Sequence, residues 1–284
     1  MSACHSCDYH KYADDTEISD SAPPSDFTSA QSNIQSCIND TLSWMQSNKL
    51  KLNTEKTEMM LVGSSVHISS VGCESADTDG SCISFQTTVT YLGVHLDQTL
   101  SVKQHISSLC CTTFLALRRI ASICLFLSNS SIEKLIASVI TSRLDYCNAM
   151  FAGVANEQIA HIEKIQNNAT QLILKKSNCD HVTLLLKELH WLPVKYCIQY
   201  KLATLAFRHF DGTLPPYLSS SLCTYLPSER LLKIPKTNLK TFSEHSFGYS
   251  APTVWNLLPA DLRASPSLPT FKVNLKMRFF HQAF

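Results

Sequence analysis

The chain has 284 residues, 44% of them hydrophobic and only seven of them glycine, with a mean hydropathy of −0.02. That excludes a collagen-like or wholly disordered chain and suffices for one large core or two smaller ones. The net charge of +1 hides a split: residues 1–97 carry 4 Lys+Arg against 13 Asp+Glu, net −9, and residues 98–284 carry 20 against 10, net +10. An acidic head on a basic body suits a metal-binding end joined to a polyanion-binding end, or two solvated surfaces of opposite bias.

In chain order, 8–11 and 16–19 predict a hairpin with Ala13-Asp14-Asp15 at its turn. Pro23-Pro24-Ser25-Asp26 breaks the chain, and Phe27, Ala30, Ile34, Cys37, Ile38, Leu42 and Met45 then recur at helical spacing. Residues 49–53 and 58–62 are short strand candidates, 63–81 is a Ser/Gly/Asp-rich loop or insertion, and 82–85 with 88–96 reads as a second hairpin. After Asp97 the period turns helical. One stripe is Val102, Ile106, Leu109, Thr113, Leu117 and Ile120. A capping box at 130–133 opens a second, with Leu135, Ile136, Val139, Ile140 and Leu144. Ile159, Ile162, Ile165, Ala169, Leu172 and Ile173 form a third, and Ile198, Leu202, Leu205 and Ala206 a fourth. These stripes predict a helical core. From Pro215 the chain is rich in proline and serine, with a short last helix marked by Phe271, Leu275 and Phe279 and with Lys272 and Lys276 on its other side.

The twelve cysteines are scattered among apolar neighbours, and Met1 leads into Ser, Cys and His rather than a basic and then apolar run. The expectation is an intracellular protein, nuclear or cytoplasmic, with reduced thiols. Cys4-His5-Ser6-Cys7 has zinc-ligand spacing but lacks a second pair. The apolar stretch 109–127 is interrupted by Arg118-Arg119, a poor pattern for a membrane span.

Asp14-Asp15 is the sharpest chemical feature. Adjacent carboxylates in a tight turn concentrate negative charge where a hard divalent cation can use it, although aspartate also suits turns for local reasons. Tyr12-Ala13-Asp14-Asp15-Thr16 resembles the palm hairpin of reverse transcriptases. The run from Trp44 to Thr57, with its Asn53-Thr54-Glu55-Lys56-Thr57, resembles the next palm motif of LINE-type (non-LTR) retrotransposon reverse transcriptases, and Tyr91-Leu92-Gly93 resembles the hairpin that closes the palm. The segments 143–148, 164–169, 189–194 and 247–259 are similar to stretches that follow the palm in such elements, so the resemblance runs from about Tyr9 to the last helix.

That resemblance implies an α+β fold. Residues 1–97 would be a partial palm sheet, 98–212 a mainly helical thumb, and 213–284 a partly irregular C-terminal extension. It implies an RNA-directed DNA polymerase that uses magnesium, an RNA template, a DNA primer and deoxynucleoside triphosphates. Asp14 would ligate metal with Asp15 in support, and Lys56 would neutralise the departing pyrophosphate. Tyr12, Ala13, Tyr91 and Gly93 would line the nucleotide and primer. The fingers and a further metal-binding aspartate precede this motif in the family, so the chain is expected to be inactive alone. A non-catalytic nucleic-acid-binding protein and a decayed-element product are the alternatives. Arg118, Arg119, Lys201 and Arg208, with Lys175, Lys176, Lys233, Lys236 and Lys240, are the cations expected to meet a nucleic-acid backbone; Lys201 and Arg208, seven apart, would share a helix face. His190 and Trp191 offer rings for base stacking or a buried contact before Pro193.

Overall fold

The alternating and helical patterns separate in space much as they do in sequence. The computed structural model describes residues 7–71, 75–78, 81–176, 181–236 and 246–284, and the chain divides into two compact units, Met1–Leu100 and Ser101–Phe284. In the first unit β1 (Asp8–Tyr12) and β2 (Asp15–Ser19) pair antiparallel, with Tyr12 opposite Asp15 across a two-residue turn. Helix α1 (Phe27–Ser47) buries Ala30, while Ile34, Cys37, Ile38, Leu42 and Met45 on the expected stripe are only half-buried. A short helix α2 (Ser65–Val71) and a hairpin of β3 (Ser75–Thr78) and β4 (Ser81–Ser84) occupy the stretch expected to be a loop.

Several strand expectations are therefore corrected. Residues 49–53 and 58–62 are not strands; Thr54–Lys56 is a single 3-10 turn, and Met59 makes one parallel bridge to Phe85. The strand expected at 82–85 pairs with β3, not with 88–96, because β5 (Thr88–Tyr91) and β6 (Val94–Asp97) close a hairpin of their own. The turn between them uses Leu92 at φ 47° and Gly93 at φ 77°. Two consecutive left-handed residues match the right-handed twist of paired strands, and glycine carries that conformation without strain. Among the described residues each hairpin is a separate two-stranded sheet.

The second unit is held by helices. α3 (Lys103–Ile123) buries Ile106, Leu109, Thr113, Leu117 and Ile120 on the expected stripe. Val102 precedes it in the left-handed region at φ 50°, a conformation that costs a β-branched residue roughly 1–3 kcal/mol and that its burial holds in place. By length and composition 103–126 could cross a membrane, yet its buried stripe belongs to the core. α4 (Asn129–Ile136) is capped by Ser128, whose hydroxyl accepts from the Ser131 N–H at 3.2 Å, two residues ahead of the capping box expected at 130. It runs through a π-helical turn (Ala137–Thr141) into α5 (Ser142–Asp145). Cys147, left-handed at φ 53°, then turns the chain toward α6 (Asn156–Leu174). α7 (Val182–Glu188) and α8 (Val194–Phe210) follow.

The region beyond 212 is more ordered than its proline content suggests. α9 (Pro216–Ser219), β8 (Leu231–Leu232), α10 (Phe247–Asn256), α11 (Ala260–Arg263) and α12 (Leu268–Ala283) share the core of the preceding helices, while β7 (Thr224–Leu226), paired with β8, stays exposed. The last helix is a full 16 residues, not a short one. Trp255 is fully buried, with Phe210 stacked at 5.4 Å and Phe271 at 5.7 Å. Asn256 clamps Leu232 from both sides: its Nδ2 donates to the Leu232 carbonyl at 2.7 Å, and its Oδ1 accepts the Leu232 N–H at 3.0 Å. Arg263, also buried, donates to the Glu229 and Leu258 carbonyls. The segment 247–259 is thus a structural clasp.

Candidate functional site

Two places in the molecule gather the residues that chemistry would need, one in each unit. On the first hairpin Ala13 takes φ 54° and presents Asp14 and Asp15 to solvent. Tyr12 is 67% exposed, and the Lys11 ammonium lies 5.8 Å from the Trp44 ring centre, a cation–π contact that ties β1 to α1. Tyr91, at the end of β5, has its phenol pushed above the ordinary range by partial loss of solvent and then by the Glu17 and Asp15 carboxylates. The structure therefore brings Tyr91 within electrostatic reach of Asp15. Lys56 is exposed at the end of its 3-10 turn, and no hydrogen bond or ion pair joins it to Asp14 or Asp15 among the described residues. Gly93 has open space where a side chain would stand, so its turn conformation accounts for it; neither a bulge nor a crowded backbone is involved.

Magnesium prefers hard carboxylate oxygens, and Asp14 and Asp15 supply that donor type. A two-metal centre also needs bridging ligands, and among the described residues no group of three His, Cys, Asp or Glu converges. The donor chemistry fits the ion and the donor number does not. Of the zinc-like Cys4-His5-Ser6-Cys7, positions 4–6 lie outside the described residues. Cys7 is a free thiol, raised by burial first, then by Asp20, by the neighbouring Cys37 and by Asp8.

The second place is a cavity of about 420 Å³ in the helical unit. The π-helical turn contributes Ile140 and Thr141, and α5 contributes Leu144 and Asp145. Such turns occur frequently at functional sites because they displace side chains from the regular helical path. Asn148 follows, buried, with its Nδ2 3.5 Å from Asp145 Oδ1 and its own Oδ1 without a hydrogen-bond partner among the described residues. An unsatisfied buried acceptor costs about 1–3 kcal/mol. From α6 come Gln166 and Ala169; Gln166 is fixed by donating to the Leu192 carbonyl at 2.9 Å. His190, Trp191 and Leu192 form another wall, with the His190 ring 5.5 Å from that of Phe280. α8 supplies Val194, Cys197, Tyr200 and Lys201, and α12 supplies Lys276.

The electrostatics of this cavity are shaped by burial. Desolvation raises the Asp145 carboxyl, with Lys201 and the Asn148 amide opposing it. The Cys197 thiol is pushed up to about 12 by burial and then by Asp145, with Lys276 opposing; its S–H donates to the Leu192 carbonyl at 3.4 Å. A thiol so placed is a poor nucleophile at neutral pH.

The basic residues are distributed unevenly. Arg118 and Arg119 are exposed on α3, and Lys175, Lys176, Lys233 and Lys236 are exposed elsewhere in the unit, while Lys240 lies outside the described residues. Lys201 lines the cavity, whereas Arg208 is half-buried with its Nε unpaired in the interior. Sequence reasoning did not single out Asn148, Gln166, Cys197, Tyr200 or Lys276 as site residues. Their signal was present in part, because 143–148, 164–169 and 189–194 were all marked as segments, and the fold gathers all three around one cavity. No family model, curated protein or solved structure matches the chain.

Proposed function

We propose that this chain is part of a non-LTR retrotransposon reverse transcriptase, in which the first unit belongs to the palm and the basic second unit tracks the template–primer backbone. The observation that carries this reading is that one unit holds both motif hairpins in the expected order, Tyr12–Asp15 at one exposed turn and Tyr91–Gly93 at the turn of another. Its partners would be an RNA template, a DNA primer, deoxynucleoside triphosphates and magnesium. With only Asp14 and Asp15 at the turn, the chain by itself does not assemble a polymerising centre.

Photo-crosslinking of a primer–template with a reactive group at the primer 3′ end tests the reading. Adducts are expected on 8–19 and 88–97, and primer extension with magnesium is expected to yield no product from the chain alone. Incorporation abolished by Asp14→Ala would overturn the inactivity; adducts confined to the second unit would overturn the palm assignment. The latter result would favour the second reading, a non-catalytic nucleic-acid-binding protein, which rests on the separate core and +10 balance of residues 101–284. Backbone contacts would show as a salt slope of about −0.9 per phosphate neutralised on duplex DNA, reduced by about one when Arg118 or Arg119 is removed.

A further inference from the structure

The cavity of the helical unit is used by neither reading, and its walls are chemically specific. Its floor is apolar, from Ile140, Leu144, Ala169 and Leu192. Trp191 and Tyr200 add flat aromatic surface, and Lys201 and Lys276 add two cations from different helices. Asn148 is only 5% exposed and has an acceptor oxygen with no partner among the described residues, beside the Asp145 carboxylate. The volume of about 420 Å³ falls in the range of roughly 300–1,000 Å³ that small-ligand sites occupy.

We propose that this cavity is a nucleotide-binding site, taking a base with an exocyclic amino group against Trp191 and Asn148 and its phosphate against Lys201 and Lys276. Each part of the wall asks for a different part of that ligand. A purely apolar ligand leaves Asn148 unpaired and both lysines idle. Free phosphate satisfies the lysines and none of the apolar floor. An aliphatic carboxylate reaches the lysines but offers no planar face to the indole. A nucleotide supplies a π-face, N–H donors for the acceptor pair of Asn148 and Asp145, and an anion. The site does not depend on the polymerase reading, since every residue in it belongs to the second unit.

Isothermal titration of the full chain with adenosine monophosphate, adenosine, uridine monophosphate, inorganic phosphate and a single-stranded oligoribonucleotide tests this. Adenosine monophosphate should saturate a single site, with adenosine and phosphate each weaker by about tenfold or more. Uridine monophosphate, which lacks the amino group, should bind more weakly than adenosine monophosphate. The Lys201→Ala/Lys276→Ala variant should lose about tenfold for the monophosphate and leave adenosine unchanged. Both lysines are exposed, so the variant should stay folded, with a small drop in melting temperature from the lost Lys201 attraction for Asp145. Asn148→Leu should lower affinity for both adenosine ligands while keeping the fold. Competition by the oligoribonucleotide at equal concentration would identify a strand as the source, and its absence a free nucleotide. The site is ruled out if no nucleotide gives saturable heat, or if phosphate matches adenosine monophosphate. It is ruled out equally if the lysine variant binds the monophosphate as well as the parent. The primer crosslinking described above can fail without touching any of these outcomes.

Discussion

The two units put recognisable chemistry and structural depth in opposite places. In the first, the described residues bury only Ala30, Ile83 and Val94 as apolar core, yet this unit carries Tyr12–Asp15, Lys56 and Tyr91–Gly93. In the second, 33 apolar residues among those described form one buried cluster, and two of its buried polar groups, Asn148 and Gln166, line a cavity rather than a turn. Hairpins that bury so little depend on their surroundings for stability, whereas the helical unit has the means to stand by itself. A motif on such a hairpin is informative about resemblance and weakly informative about a working centre.

The largest expected effect follows from that contrast. Hydrogen exchange in β1 and β2 should proceed by local opening at close to zero free energy. Amides of α8 and α10 should exchange only through global unfolding, at about 5–15 kcal/mol for a domain of ordinary stability. Trp255→Ala should lower the second unit's stability by about 3–5 kcal/mol, read from urea denaturation, and should collapse protection in α8 while leaving the hairpins unchanged. Equal protection of β1 and α8 in the parent would break the comparison, for it would mean that the hairpins share the deep core's cooperativity.

The same contrast governs what could be read from the sequence. The α3 stripe was legible from Val102 to Ile120 because a helix buries a face at fixed spacing, and all six of its residues are inside. The first hairpin turn was legible because Ala13-Asp14 is local chemistry, whereas Leu92-Gly93 was absorbed into the apparent alternation of 88–96. The pairing of Ser81–Ser84 was not legible, because its partner lies in a Ser/Asp-rich stretch with no alternation. Nor was the irregular course of 49–53 and 58–62, where the second run makes only a single bridge, Met59 to Phe85, and neither becomes a strand. The cavity is still less legible. Asn148, Gln166, Trp191, Lys201 and Lys276 are each unremarkable in their own segments and acquire meaning only when helices far apart in sequence pack together.

A smaller effect sharpens the comparison from the first unit. Gly93→Ala meets no steric obstacle, since nothing lies where its Cβ would stand, but a φ of 77° penalises any residue with a Cβ. The expected cost is about 1 kcal/mol, seen as faster exchange in β5 and β6 with α8 unaffected. A cost several times larger would mean that the turn is braced by contacts beyond its own backbone.

The smallest effect concerns Asp145. Its folded-state pKa is raised, so the folded chain holds this proton more tightly than the unfolded chain does. That contribution favours folding below the ordinary carboxyl value of 3.8 and is lost as pH rises from there through the raised folded value. At neutral pH the ionised carboxylate therefore opposes folding, even with Lys201 and Asn148 partly compensating. Asp145→Asn should gain stability relative to the parent as pH rises through that window, with little difference at its acidic end. Urea midpoints at the two ends measure the change, with Asp14→Asn as the exposed-turn control, expected to stay within about 0.5 kcal/mol. A relative gain that shrinks with pH would show that the Lys201 attraction outweighs desolvation. In that case the cavity wall would be a satisfied ion pair, and the acceptor face it offers a nucleotide would be weaker than its geometry suggests.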